Sequence, residues 1–578
     1  MSLSKEKHSF KLWITLIVLI LVAIFVFGAE TSITSQSTWG YLPPTNTSFK
    51  YGGTLRYMGG WGPLVQNFSP FAPSTLGIIT YQIYETLFYD NPLNGNITPV
   101  LGTSYKWEDN NLKLVVTTRQ GVKWSDGVPF TANDVAFTFN LIKKYPALDS
   151  NGIWSSISEL QSVQASGDNT IIFTFSKPNT PMFMYISNQL IIPEHIWSAI
   201  KDPVTWNNPN PIGTGPFLFD SFNSSLNEVV LKKNPNYWIP GRPYINKIEV
   251  YSTDSFNYVE SSLLAHKFDW GFTYVPDVQK IWADRDPANN KYWWPVVSTN
   301  ILLLNTQKYP FSIPAFRQAI AMAINKEQCD QAAYFGVGGA ANPTGIIPSQ
   351  QQEWLDPTLT PLASELESYN PQKAQDLLAS IGFKKNSAGQ LCDPNGNPLP
   401  TFKILTGAGW GDYMTISQII SNDLKALGID TVIDAEVQSL YTTDLMKGTY
   451  DMAICWGAGN GPTPYYLYYA SFNPSFSATK IGEIAQSDWS RYTNPLITSA
   501  LQIYSQTSDV HLQQQAMYTI ERIMLEEMPF VPLTNRTNFE VYWTGNFTGF
   551  PSASDPYTSG NDLVSPDGRM VSLSVHLK

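Results

Sequence analysis

A chain of 578 residues is too long for a single hydrophobic core and divides into two or three domains. Its formal net charge of −11 removes the electrostatic basis for binding nucleic acid. Charged residues make up only 14% of the chain, while 18 Trp, 30 Tyr and 30 Phe leave enough rings to line a binding site as well as fill a core.

At the N-terminus Lys5, Lys7 and Lys11 precede an uncharged run from Leu12 to Ala29, LWITLIVLILVAIFVFGA. Its eighteen residues are long for the apolar region of a signal peptide and just sufficient to cross a bilayer. Residues 1–29 therefore read either as a cleaved signal or as a retained anchor, and both place the body outside the cytoplasm. Residues 30–49 are rich in Ser, Thr and Pro, the composition of a linker. Sequons beginning at Asn46, Asn67, Asn96, Asn223, Asn535 and Asn546 match the acceptor pattern for glycosylation of an exported protein, a pattern that chance also produces in so Asn-rich a chain.

From Tyr51 the pattern is mixed α/β. Gly53 to Gly60 reads as a strand, and Leu112 to Thr118 alternates as a half-buried one. A helix starts at Thr131, whose hydroxyl can cap it while Asp134 favours its positive end; Val135, Phe139 and Ile142 share one face, and Pro146 ends the run. Asn370-Pro371 opens a second helix that stops at Gly382. A third runs from about Thr415 to Gly428, and Ile429 to Val437 follows as a strand.

Several phrases, in order, resemble the peptide/oligosaccharide-type solute-binding proteins of ABC importers. They are GTLRY from Gly53, IYETLFYD from Ile83, GVKWSDGVPFTANDVAFTF from Gly121, GTGPF from Gly213, KNPNYWIPGRPY from Lys233, FRQAIAMAIN from Phe316 and YDMAICWG from Tyr450. The resemblance covers residues 50 to 578 and implies a two-lobed periplasmic-binding-protein-like fold with hinge crossovers and an extra subdomain on lobe I. It implies lobe I over 50–95 and 212–304, the subdomain over 96–211, lobe II over 305–532, and a return to lobe I over 533–578. Crossovers are expected near Asn305 and Leu533. Ligand would touch both lobes only when they close, so binding would drive closure. The expected partners are a ligand, the permease subunits and, through the N-terminal segment, the membrane; the protein is expected to be a monomer without a cofactor. In the shared phrases Trp124 and Trp238 read as core packing, and Arg317 as a brace for its helix.

Peptide-binding members of this family carry an aspartate after the phrase that ends here at Trp456. This chain instead has CWGAGNGPTPYYLYY from Cys455, with Gly, Asn and Thr where acids would stand. An ammonium terminus taken from water without a counter-charge is costly. A neutral sugar suits the stretch better, because its C–H faces pack on rings and its hydroxyls need amide and carboxylate partners. The candidate contacts are Trp456, Asn460 and Tyr465 here, and Trp410 and Asp412 in TGAGWGDY. Lobe I adds Trp61, Phe68, Trp270, Tyr274, Trp294 and Asn300. Trp270 fits local packing as well as stacking, and Asp412 fits a helix cap as well as a ligand partner.

Two rival readings are an enzyme, such as a glycoside hydrolase, and a peptide receptor of the same family. Carboxylates are plentiful, yet no motif sets two in a defined relation, and GxSxG, Walker A and GxGxxG are absent. Five scattered histidines give no metal-ligand spacing. Cys329, Cys392 and Cys455 allow at most one disulfide.

Overall fold

Thr131 and Asp134 close a capping box in the computed structural model, which describes residues 46, 48–59, 62–72, 77–253, 255–560 and 566–578. The Thr131 hydroxyl accepts from the Asn133 N–H at 3.2 Å, and the Asp134 carboxylate accepts from the Thr131 N–H at 2.9 Å. The helix Ala132–Lys144 that follows buries Val135, Phe139 and Ile142 completely. It lies on a four-stranded antiparallel sheet ordered Gly102–Glu108, Lys113–Thr118, Thr170–Phe175 and Leu160–Ala165. Lys113–Thr118 alternates strictly between half-buried and buried positions, as a strand with one covered face must. This sheet falls inside residues 96–211.

The seven-stranded sheet of lobe I runs Asn290–Trp293, Glu540–Trp543, Trp270–Phe272, Thr54–Met58, Lys247–Tyr251, Glu228–Lys233, Phe217–Asn223. Thr54–Met58 pairs in parallel with both of its neighbours, and the other four pairs of the sheet are antiparallel. Leu55, Tyr57, Ile248, Val250 and Trp270 form its core with the helix Gly77–Ile83.

Lobe II is built on a five-stranded sheet ordered Thr431–Glu436, Phe402–Gly407, Met452–Trp456, Val296–Leu304 and Phe530–Thr537. Successive side chains of a strand point to opposite faces. Leu302 and Leu304 accordingly join one core, with Ile320, Ile404 and Ile420, while Ile301 and Leu303 join another, with Leu405, Ala453 and Met517. Helices cover both faces, which is why Val296–Leu304 is apolar along most of its length. Arg317 is buried beneath this sheet and donates to the Phe311 and Met528 carbonyl oxygens, tying two segments together.

The chain changes sheets at Trp294–Pro295 and again at Asn538–Phe539. Residues 296–304 and 533–537, expected in lobe I, lie in strands of the lobe II sheet. The expected crossovers are thus displaced, the first by about ten residues toward the N-terminus and the second by about five toward the C-terminus. The physical reason is that Val296–Leu304 and Phe530–Thr537 pair with each other and with Met452–Trp456, so they cannot leave the second sheet.

All three cysteines are free and buried. The N-terminal apolar run lies outside the described residues, and among those described no helix is long and apolar enough to cross a membrane. Of the sequons, Asn535 is buried, donating its amide to the Gly338 and Ala340 carbonyls, whereas Asn46, Asn223 and Asn546 are exposed.

Candidate ligand-binding site

Phe402–Gly407, Thr431–Glu436 and Met452–Trp456 run parallel, and open α/β sheets bind ligands outside the carboxyl ends of such strands. Trp456 is the last residue of its strand and Trp410 stands just past the end of Phe402–Gly407. Both indoles are half-buried, 6.3 Å apart between ring centroids and inclined at 50°. Trp489 meets Trp456 edge-on at 6.0 Å, and Tyr441 supports both from beneath at 4.9 and 6.4 Å. The Tyr441 hydroxyl is fixed by donating to the Ile454 carbonyl at 2.8 Å. Gly407 permits this arrangement: a Cβ there would come within 2.2 Å of the Trp410 ring. The Trp489 indole N–H is buried and has no hydrogen-bond partner, a donor that calls for an acceptor.

Trp410 occupies the N-cap position of the helix Gly411–Ala426, which starts four residues before the expected Thr415. Asp412 therefore sits in its first turn and does not cap it from outside. Its carboxylate accepts from the Tyr334 hydroxyl at 2.9 Å. Burial pushes the Asp412 carboxyl up, while the Tyr334 hydroxyl, backbone N–H groups and the nearby Arg536 guanidinium pull it down. Behind it Asn300 donates to the Tyr334 and Thr534 oxygens at 3.1 and 3.0 Å and accepts from the Tyr413 hydroxyl at 3.0 Å.

Lobe I contributes Tyr274, Trp294 and Phe539 beside the two crossovers. Tyr274 lies stacked toward Trp294 at 6.1 Å, meets Phe539 and Tyr334 edge-on, and donates to the Ala333 carbonyl of lobe II at 2.6 Å. Burial first, then the Asp412 charge, push its hydroxyl up to about 12. Tyr274 thus carries lobe I to Tyr334, and Tyr334 carries it to Asp412.

Of the residues expected in the site, Trp410, Asp412 and Trp456 come together on lobe II, with Tyr274 adjoining from lobe I, while Trp294 is buried in a core cluster beside it and backs Tyr274. Asn300 is present but fully buried, with both amide hydrogens donated and its oxygen accepting from Tyr413, so it braces the wall out of reach of a ligand. Phe68 is also fully buried, packed on Phe219 at 4.4 Å in the lobe I core. Trp270 is a core residue too, edge-on to Tyr57 at 4.9 Å with its indole N–H bound to Glu540. Neither presents a face to solvent, and the expectation of ligand contact does not hold for them. Asn460 is exposed near a small recess beside Ser298 and Gln350, and Tyr465 is buried between Tyr469 and Tyr504, so neither stands in the tryptophan cluster. Trp61 lies outside the described residues.

Sequence reasoning missed Tyr334, Tyr441, Trp489, Arg536 and Phe539. The Tyr441, Trp489 and Phe539 stretches lack the glycine flanks that marked Trp410 and Trp456; Tyr334 does precede a glycine-rich turn, FGVGG. Among the described residues no three His, Cys, Asp or Glu side chains gather to hold a metal ion.

Residues 96–478 match the bacterial extracellular solute-binding proteins, family 5. The chain is similar to a probable ABC transporter-binding protein of Deinococcus radiodurans, with 25% identity over 92% of this chain and 95% of that one. A putative ABC transporter peptide-binding protein of Brucella ovis is 27% identical over 76% of this chain and 79% of its own length. The fold is similar to that of a periplasmic oligopeptide-binding protein of an oligopeptide ABC transporter from Thermotoga maritima. That crystal structure superposes with a TM-score of 0.83 at 28% identity, covering 91% of this chain and 99% of that one. The mannohexaose-bound structure of the Thermotoga protein superposes with a TM-score of 0.75, also at 28% identity, covering 91% and 98%. These relatives are binding components of ABC transporters and not enzymes. This two-lobed α/β chain belongs to the family 5 extracellular solute-binding proteins, the extracytoplasmic receptors of ABC importers.

Proposed function

We propose that this receptor captures a neutral oligosaccharide, of the cello- or manno-type or another β-linked kind, between its lobes and delivers it unaltered to its permease. The observation that carries the reading is the cluster of Trp410, Trp456 and Trp489 at the carboxyl ends of the lobe II strands. Flat indole faces suit the C–H faces of sugar rings, and Asp412 and the unpartnered Trp489 N–H supply an acceptor and a donor for hydroxyls. The mannohexaose bound by the Thermotoga relative supports the same class of ligand.

The peptide reading is favoured by the names of the Brucella and Thermotoga relatives. Against it stands the charge of the site. No acid stands in the stretch from Cys455 to Tyr469, and Asp412 already accepts the Tyr334 hydroxyl beside Arg536, so it is poorly placed to compensate a desolvated ammonium. The receptor works as a monomer. Its N-terminal segment exports it or tethers it to the membrane, and ligand bridging Tyr274 to Trp410 and Trp456 holds the lobes closed.

Thermal-shift measurements with cello-, manno-, xylo- and laminari-oligosaccharides, beside di- to pentapeptides, test the proposal. Stabilisation by at least one oligosaccharide series is expected. Stabilisation by peptides alone overturns the sugar assignment and leaves the receptor.

A further inference from the structure

The helix Pro495–Gln506 of lobe II is capped by the other lobe. The last carbonyls of a helix have no partner within it. Here the Thr180 N–H donates to the Ser505 carbonyl at 2.8 Å, the Asn111 amide to Gln506 at 3.3 Å, and the Thr180 hydroxyl to Thr507 at 3.0 Å. Asn111 and Thr180 belong to the subdomain on lobe I. The Tyr466 hydroxyl of lobe II adds a bond to the Pro181 carbonyl at 3.2 Å.

Beside this junction lies a cavity of about 360 Å³ with walls from both sides. Asn179, Lys177 and Glu159 come from the subdomain, and Tyr469, Asn473 and Gln502 from lobe II. Glu159 and Lys177 are its charged residues, and they neutralise each other at 3.0 Å. What remains is carboxamides, hydroxyls, the apolar side chains of Ile157, Pro178, Pro474 and Leu501, and the ring of Tyr469, backed by the buried Tyr465 with centroids 5.2 Å apart and planes within 18°. A lining without net charge, mixing neutral donors and acceptors with apolar side chains and one ring face, suits a polyhydroxylated ring with its hydroxyl rim and C–H faces.

We propose that this cavity is a second saccharide site, separate from the tryptophan cluster and complete only while the subdomain and lobe II are docked. Its occupant touches Tyr469 and Gln502 on one side and Asn179 on the other, so it strengthens the junction that caps the helix. The assignment rests on the lining of this cavity and not on the ligand proposed for the tryptophan cluster.

Calorimetric titration of the full-length chain with mannohexaose tests it, in wild type and in Trp456→Ala, Gln502→Trp and the double variant. Gln502 is exposed, so the larger ring fills the cavity without disturbing a core. Two sites are expected in wild type, with the cluster site weakened in Trp456→Ala, the cavity site lost in Gln502→Trp, and only the weakened cluster site left in the double variant. Tyr469→Ala, which widens the cavity, is a second probe and also leaves one site. A single site in wild type that is weakened in Trp456→Ala and kept in both Gln502→Trp and Tyr469→Ala overturns the cavity proposal and leaves the cluster as the ligand site. A single site lost in Gln502→Trp and Tyr469→Ala alone overturns the cluster instead and supports the cavity. No binding of mannohexaose in wild type overturns the cavity proposal for this class of ligand.

Discussion

The Tyr334 hydroxyl donates to an Asp412 carboxylate oxygen at 2.9 Å, while the Tyr274 ring of the other lobe stands edge-on to Tyr334 at 6.4 Å. One tyrosine therefore orients the acid in the lobe II wall and feels the arrival of lobe I. The Tyr334 hydroxyl is also among the groups that hold the Asp412 carboxyl down against burial. Tyr334→Phe removes that donor, so the carboxyl rises further. Affinity for ligand then falls by on the order of 1 kcal/mol and is lost on acidification at a higher pH than in wild type. Titrations at several pH values check both effects.

Trp410→Ala and Trp456→Ala each weaken ligand binding by about 1–3 kcal/mol, the scale of a lost aromatic contact, while circular dichroism remains that of the folded protein. Unchanged affinity in both variants shows that the ligand sits elsewhere.

Gly407→Ala acts on the same contact without touching ligand. Its Cβ falls within 2.2 Å of the Trp410 ring and drives the indole from its seat, so affinity drops as it does in Trp410→Ala. Gly411→Ala is the control: nothing lies within 4 Å of a Cβ there, and affinity stays at the wild-type value. Equal affinity for the two glycine variants contradicts the geometry of the site.

Phe68→Ala and Trp270→Ala have the opposite signature. Both rings are fully buried in the lobe I core, so their loss costs about 3–5 kcal/mol of stability. Each folded molecule still binds ligand with wild-type affinity. Denaturant melts paired with titrations separate the two effects.

Asp90 is half-buried with its Oδ1 sealed from solvent, and desolvation, against the Ser187 hydroxyl that donates to Oδ2, pushes its carboxyl up to about 7. Its value in the unfolded chain is about 4. A folded value above the unfolded one means that the folded state holds the proton longer. The contribution of Asp90 to stability is complete below about pH 4 and is lost as pH rises through about 7. The fall in stability between about pH 4 and 7 is accordingly shallower in Asp90→Asn, as thermal melts across that range will show.

Local rules carried far in this chain. The Thr131–Asp134 capping box, the alternation of Lys113–Thr118 and the Asn370 side chain capping the helix Pro371–Ser380 each depend on neighbours a few residues apart. The hinge was not legible, because Val296–Leu304 is apolar on both faces and no residue in it records which sheet it joins. Aromatic side chains posed the same difficulty. Trp270 and Trp456 each stand in a strand beside a glycine, and only the far partners Glu540 and Trp489 separate the core ring from the half-open one. Tyr334, eighty residues before Asp412 in round terms, enters the site through a fold that brings two helices together, and no local pattern announces it.

Calorimetric titration of the full-length receptor with mannohexaose, set against an oligopeptide of similar size, tests the central claim most directly. Saturable binding of the oligosaccharide, weakened in Trp456→Ala, is the predicted result. Saturable binding of the oligopeptide with no heat from mannohexaose or any other oligosaccharide would contradict it.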